Sequence, residues 1–294
     1  MHMHIYDQTR HVALALQNRA ETWAQGSASR QFWFEFILFG IKQAWACLYG
    51  GAMLVLLIGT MVFWPKEGAI LSRYDFLFVA ALALQVLLIT LKLERFEEVK
   101  VIFIFHIVGT VMEIFKTHMG SWSYPGDGYL KIGDVPLFTG FMYACIGSYI
   151  ARATRLFAMS YTNYPPIWTT WVLAGLAYIN FFSHHFLPDI RLGLFALSII
   201  LFWRTRIWFT PFQVPRWMPL LLGFGLVSFF IWLAENIGTF TGTWLYPHQK
   251  DGWHLVPLTK MGAWYLLMLL SFVLVSLVHK PDKKNGEHIM PATL

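Results

Sequence analysis

Runs of about twenty mostly apolar residues recur along this chain, separated by short polar segments. Hydrocarbon offers no hydrogen bonds to a peptide backbone, so runs of that length read as membrane-spanning helices. They fall near 46–64, 74–94, 101–118, 136–154, 166–184, 190–207, 217–237 and 259–279. Charged residues fill only 13% of the 294 positions and hydrophobic ones 57%, whereas a soluble domain carries about 25% charged residues. With a mean hydropathy of +0.52, the chain has too few charges to cover a water-facing surface. The expected fold is an all-α polytopic membrane protein with about eight spans.

The stretch 31–45, with Glu35 and Lys42 among aromatics, reads as an interfacial helix leading into the first span. Residues 1–45 thus form a polar tail plus that helix, and 280–294 form a second tail. No cleavable signal segment is expected in the polar, mixed-charge start. The 14 Trp and the 18% aromatic content fit two interfacial belts. The net charge of +6 does not indicate nucleic acid, because the basic residues are scattered with no contiguous face. They act instead as topology signals. Fifteen Lys and Arg fall in one set of alternating segments and seven in the other. That bias predicts an inner-membrane protein with both termini cytoplasmic. Cys47 and Cys145 lie in apolar segments and indicate neither a disulfide framework nor a thiolate metal site.

Residues 113–125 read EIFKTHMGSWSYP and residues 235–247 read ENIGTFTGTWLYP, identical at six of thirteen positions without a gap. Val-Pro-Leu follows each block, at 135–137 and 256–258. Four spans separate the copies, so both point the same way. The chain is expected to be a 4+4 parallel internal duplication, with repeats at 46–157 and 158–279. Gly-x-Trp-x-Tyr-Pro can serve as a plain re-entry turn, with Trp122, Tyr124, Trp244 and Tyr246 in the headgroup layer. That leaves Glu113 and Glu235 unexplained.

Each glutamate lies one to two turns inside the end of a span. At mid-bilayer a carboxylate costs roughly 2.5–3.5 kcal/mol, so it must face protein or water and have a partner. Thr117 and Thr239, four residues on, share that face and can donate a hydrogen bond. His106 lies two turns before Glu113, with Gly109 between them, where a ligand or another helix could approach. The fifth span ends in Asn180-Phe-Phe-Ser-His184-His185-Phe-Leu-Pro-Asp189, a weak candidate for a divalent metal. By the charge rule Glu113, Glu235, His184, His185, Asp189 and both Trp-x-Tyr-Pro segments gather at the non-cytoplasmic face.

The strings FHIVGTVMEIFKTHMGSWSYP, VPLFTGFMYACIGSYIAR, NFFSHHFLPDIR and WLAENIGTFTGTWLYP resemble the bacterial integral membrane family called domain of unknown function 817, from about Phe32 to His279. That resemblance implies a multi-pass inner-membrane protein. A looser similarity is to membrane carotenoid enzymes, the heterodimeric-type lycopene cyclases and the carotenoid hydratases. It rests on Glu113, Gly120, Trp122, Tyr124 and Pro136 and on Glu235, Gly242, Trp244, Tyr246 and Pro257. His106, His184 and His185 depart from that pattern.

The leading expectation is an enzyme acting on an isoprenoid-like or other lipophilic molecule within the membrane. Glu113 and Glu235, with His106, would supply the acid and base, and the Trp and Tyr residues would contact substrate. This chemistry needs no cofactor. A transporter or channel for a small solute is the second expectation. A metal-dependent oxidase using His184, His185, Asp189, His106 and the glutamates is the third.

Overall fold

The computed structural model describes residues 22, 23, 26–65, 68–278 and 281. Most of the two expected tails, with Arg10, Arg19, Lys280, Lys283 and Lys284, and also Lys66, lie outside the described residues. Among the described residues there are nine α-helices: α1 (Ala28–Ala46), α2 (Leu48–Phe63), α3 (Arg73–Thr90), α4 (Phe96–His118), α5 (Phe138–Leu156), α6 (Ile167–Ser183), α7 (Arg191–Phe202), α8 (Leu220–Phe240) and α9 (Met261–Val275). Helices α2 to α9 fall one by one on the eight expected apolar runs. The segment Leu258–Val275, which includes α9, is with α3 and α8 long and apolar enough to cross a bilayer. The pair α1 and α2, bent by 67° at Cys47, makes up to a fourth. Helices α6 and α7 are apolar but shorter.

Local signals explain the helix boundaries. Ser27 caps α1 by accepting from Arg30 N at 3.3 Å, and Ser72 caps α3 by accepting from Asp75 N at 3.1 Å. Helices α6 and α8 follow Pro166 and Pro219, which set an extended entry. Several helices turn large apolar side chains outward. Val79, Leu82 and Val86 of α3 and Leu222, Leu226 and Phe230 of α8 are about half exposed or more. Contiguous apolar faces of that size require lipid rather than water.

Helix α5 is the packing centre, in closest register with α4. Three glycines make that approach possible. A β-carbon on Gly109 would strike the Tyr143 ring, one on Gly147 the Phe105 ring, and one on Gly140 the His106 ring. Small residues facing large ones let two helices meet closely where lipid supplies no hydrophobic drive. At the far end of this pair, Arg152, fully buried, donates to Glu94 at 2.9 Å. Glu94 also takes the Ser148 hydroxyl at 2.7 Å and the Gln85 amide. Arg155 pairs with Glu98 at 3.2 Å. Arg152 therefore serves as a buried ion-pair partner and Arg155 as a partly exposed one, and both contribute to the charge bias.

Two small sheets were not foreseen. Strands β1 (Lys131–Ile132) and β2 (Val135–Pro136) pair antiparallel around Gly133. Strands β3 (Ser160–Thr162), β4 (Arg206–Phe209) and β5 (Arg216–Pro219) form an antiparallel sheet in that order, at the end of α8 opposite to its C-terminus. Two to four residues give too little alternation to read as strands. The expected interfacial helix is α1, which docks onto this sheet hairpin. Its Glu35 accepts from Arg216 at 2.7 Å, and Lys42 reaches the Thr210 carbonyl at 3.1 Å.

Candidate functional site: two clasped glutamates

Helices α4 and α8 end in the same way. Gly120 and Gly242 take positive φ, 67° and 64°, where a β-carbon would be strained. In each case the residue after the glycine donates its N–H five residues back, Ser121 to Lys116 O at 3.0 Å and Thr243 to Gly238 O at 3.2 Å. This glycine-terminated cap reverses the chain and sends the next residues back along the helix. The returning Trp and Tyr then close on the glutamate they follow.

Trp122 Nε1 and the Tyr124 hydroxyl donate to Glu113 Oε2 at 2.7 and 2.6 Å. Trp244 Nε1 and the Tyr246 hydroxyl donate to Glu235 Oε1 at 2.9 and 2.7 Å. The intervals of nine and eleven residues are the same in both. Glu113 receives a third donor, the Tyr143 hydroxyl of α5, on Oε1 at 2.8 Å. Both glutamates are buried, at 5% and 6% exposure. Burial, with the neighbouring carboxylate, pushes the Tyr124 and Tyr246 phenols well above their ordinary value of 10, so both hydroxyls stay protonated and donate.

The two returning loops meet. Ser123 and Leu245 exchange backbone hydrogen bonds, each N–H donating to the other carbonyl at 2.9 Å. Trp122 meets Tyr246 edge to face at 6.1 Å, while Trp244 and Tyr124 pack in one cluster with Phe138. Each loop's aromatics thus lean on those of the other. The start of α3 holds both loops. Asp75 accepts Tyr129 N at 3.0 Å and Leu130 N at 2.7 Å. The Tyr74 hydroxyl donates to Thr243 O at 2.7 Å and accepts from Gly126 N at 3.1 Å. Arg73 donates to Thr241 O at 2.9 Å and to Thr243 Oγ1 at 3.1 Å.

A cavity of about 130 Å³ lies between α4, α6 and α9. Trp122, Tyr143 and Tyr246 contribute to its wall, and Met112, Leu267 and Leu270 give it an apolar side. Its position follows from one difference between the loops. At the place in α8 that corresponds to Lys116 stands Gly238, and the Trp244 ring lies directly on it. Lys116 instead lines the open space beside Trp122.

Other expected site residues are placed differently. Thr117 has a buried hydroxyl with no partner among the described residues, and Thr239 donates to Asn236 O at 3.2 Å while accepting from Trp253 at 3.1 Å. The expected threonine–glutamate bonds are therefore corrected: the loop aromatics deliver the donors instead. His106 packs against Phe141 with ring centroids 4.7 Å apart and planes tilted by 49°, and its buried Nδ1 has no partner among the described residues. The space beside Gly109 is filled by the neighbouring helix's Tyr143.

His184, His185 and Asp189 do not converge on a common point. Both histidine Nε2 atoms take the Lys116 ammonium, at 3.1 and 2.8 Å. Asp189 takes the Asn180 amide at 3.0 Å and Arg191 N at 2.9 Å. Burial opposes its charge, but those donors and the Arg191 guanidinium prevail and hold its carboxyl below the ordinary value. Among the described residues no three His, Cys, Asp or Glu side chains gather as metal ligands do. Sequence reasoning missed Tyr143, Lys116 and the Arg73-Tyr74-Asp75 triplet. Lys116 carried the same kind of signal as Glu113, a charge within the last two turns of an apolar run.

Fold and site together define a helical membrane protein with buried, aromatic-clasped carboxylates. The chain belongs to the family described as "Protein of unknown function (DUF817)", whose model matches residues 35–272. It is 43% identical over 242 residues to the "Uncharacterized protein YoaT" of Bacillus subtilis (strain 168), covering 82% of this chain and 90% of that one. Among solved structures it is similar to a cross-linked trimer of MvINS, with a TM-score of 0.44 and 11% identity, over 64% of this chain and 98% of that one.

Proposed function

We propose that this protein is a membrane-embedded enzyme acting on an apolar, isoprenoid-like lipid by acid–base chemistry. One observation carries the reading: two phenols on the cavity wall, Tyr143 and Tyr246, are each hydrogen-bonded to a buried glutamate. Each phenol–carboxylate pair can pass a proton to or from the cavity without opening it to water. In the forward step a protonated Glu113 passes its proton through the Tyr143 hydroxyl to one alkene carbon, leaving a glutamate carboxylate and a neutral phenol. The π electrons form the new C–H bond and leave a carbocation, which the Trp122 face stabilises. The Glu235–Tyr246 pair then removes a proton from a neighbouring carbon, a new double bond forms, and release of that proton with uptake of one at Glu113 resets both pairs. The net change is an isomerisation or cyclisation that requires no oxidant and no cofactor.

The eight-span arrangement with cytoplasmic termini is part of this reading, as is the 4+4 duplication. Identical glycine caps, donor intervals and loop pairing support the duplication. On this reading the cavity lies toward the non-cytoplasmic leaflet. The transport reading draws on the 67° break between α1 and α2, far from the glutamates in sequence. To test the enzyme reading, membranes from cells making acyclic polyenes would be assayed with the wild type, Glu113→Gln and Glu235→Gln. Products that appear with the wild type and vanish with either variant support it. An identical product profile across all three removes it.

A further inference from the structure

The proton-transfer reading leaves one feature of the cavity unused. Three cationic side chains, Lys116, Arg191 and Lys260, line it together with an apolar wall. They lie close enough to act electrostatically on one another. Asp189 is paired with Arg191 at 3.1 Å, while neither Lys116 nor Lys260 is within ion-pair distance of a carboxylate among the described residues; Asp189 and Glu235 act on them only from farther off. Lys116 is only 4% exposed. A buried ammonium with no carboxylate in contact is expensive unless a ligand completes it.

The surroundings of Lys116 hold it in place as a donor. His184 Nδ1 lies 2.8 Å from the Asn180 carbonyl, so that nitrogen carries the hydrogen and Nε2 offers its lone pair to Lys116. His185 Nε2 takes a second ammonium hydrogen at 2.8 Å, and the Phe181 ring lies beneath the charge at 4.4 Å. An ammonium has three hydrogens, so one remains for the cavity. Neutral imidazoles orient the cation and leave its charge intact. Lys260, which also lines the cavity, stands over the Tyr246 ring at 4.6 Å.

We propose that this cavity binds the head of an anionic amphiphile. Its oxyanion, phosphate or carboxylate, is seated against Lys116, Lys260 and Arg191, and its apolar chain runs along Met112, Leu267 and Leu270. The inference deepens the enzyme reading by naming the head group of the lipid, and it rests on that reading only for turnover. Binding is measured separately.

The experiment uses the full chain in nanodiscs of neutral lipid, with Trp fluorescence and calorimetry as readouts. The probes are hexadecyl phosphate, hexadecanoate, hexadecanol and inorganic phosphate. Saturable binding of either anionic amphiphile, weakened about tenfold or more by Lys116→Gln and by Lys260→Gln, is the expected result. Saturable binding of inorganic phosphate as tight as that of hexadecyl phosphate would show a free-anion site and overturn the amphiphile assignment. Binding of hexadecanol equal to that of both anionic probes would overturn it too. So would two lysine variants that bind like wild type. If Lys116→Gln does not fold, the less buried Lys260→Gln decides alone. Loss of products in Glu113→Gln with no anion binding anywhere would sink this inference and leave the enzyme reading standing.

Discussion

Replacing Gly238 by alanine tests the clasp at its tightest point. A β-carbon there would lie inside contact distance of three carbons of the Trp244 six-membered ring. Ordinary carbon–carbon contact is about 3.5 Å, so the ring must retreat by about 1.5 Å. That movement stretches the 2.9 Å bond from Trp244 Nε1 to Glu235 beyond hydrogen-bond range. Losing a bond to a buried carboxylate costs about 1.5–3 kcal/mol, and overpacking adds about 1–3 kcal/mol. The two overlap, so Gly238→Ala should destabilise by about 3 kcal/mol. Gly193→Ala is the control, because nothing lies within 4 Å of the added carbon, and helix propensity favours it by up to about 1 kcal/mol. Reversible unfolding in mixed micelles measures both, and exchange at the Trp244 indole N–H reports the clasp. Equal stability of the two variants, with the indole N–H still protected in Gly238→Ala, would refute the reasoning.

Two further outcomes follow from the geometry. Burial and the adjacent Lys116 ammonium, with His184 beside it, lower the His185 imidazole below its ordinary 6.5. A base depressed on folding contributes stability that is present above pH 6.5 and lost as the pH falls through its folded value. Denaturation midpoints should therefore fall between neutral and mildly acid pH, and His185→Gln should flatten that slope. An unchanged slope would contradict the Lys116–His185 contact. Arg152→Met leaves Glu94 buried and unpaired, which should cost about 3–5 kcal/mol. Adding Glu94→Gln should recover part of that loss, and a double variant no more stable than the single one would show that the pair is not coupled.

Much of the fold was legible because lipid imposes one rule on every span. Any run of about twenty apolar residues must become a helix, and all eight expected positions carry one. The glutamates were legible for the complementary reason: a carboxylate is expensive in such a run, and its recurrence with Gly, Trp, Tyr and Pro at fixed intervals marked a unit. The direction of the hydrogen bonds was not legible. Thr117 and Thr239 share a helical face with the glutamates, but only the reversal at Gly120 and Gly242 shows that Trp and Tyr return to reach them first. Tyr143 was one aromatic among many in its span, and its role depends on the depth of the groove at Gly109. The histidine pair carried a metal-like composition, and what it binds is decided by Lys116, a residue of another helix.

The claim that both glutamates belong to one site depends on the two returning loops touching at Ser123 and Leu245. A hydrogen-bonded antiparallel pair sets its α-carbons about 5.5 Å apart, within the span of a disulfide. With Cys47 and Cys145 replaced by Ala, a Ser123→Cys, Leu245→Cys double variant should form an intramolecular disulfide within minutes of mild oxidation, read by a gel shift and by mass spectrometry. Two free thiols after prolonged oxidation, in a protein that otherwise folds as wild type, would separate the loops and with them the shared site.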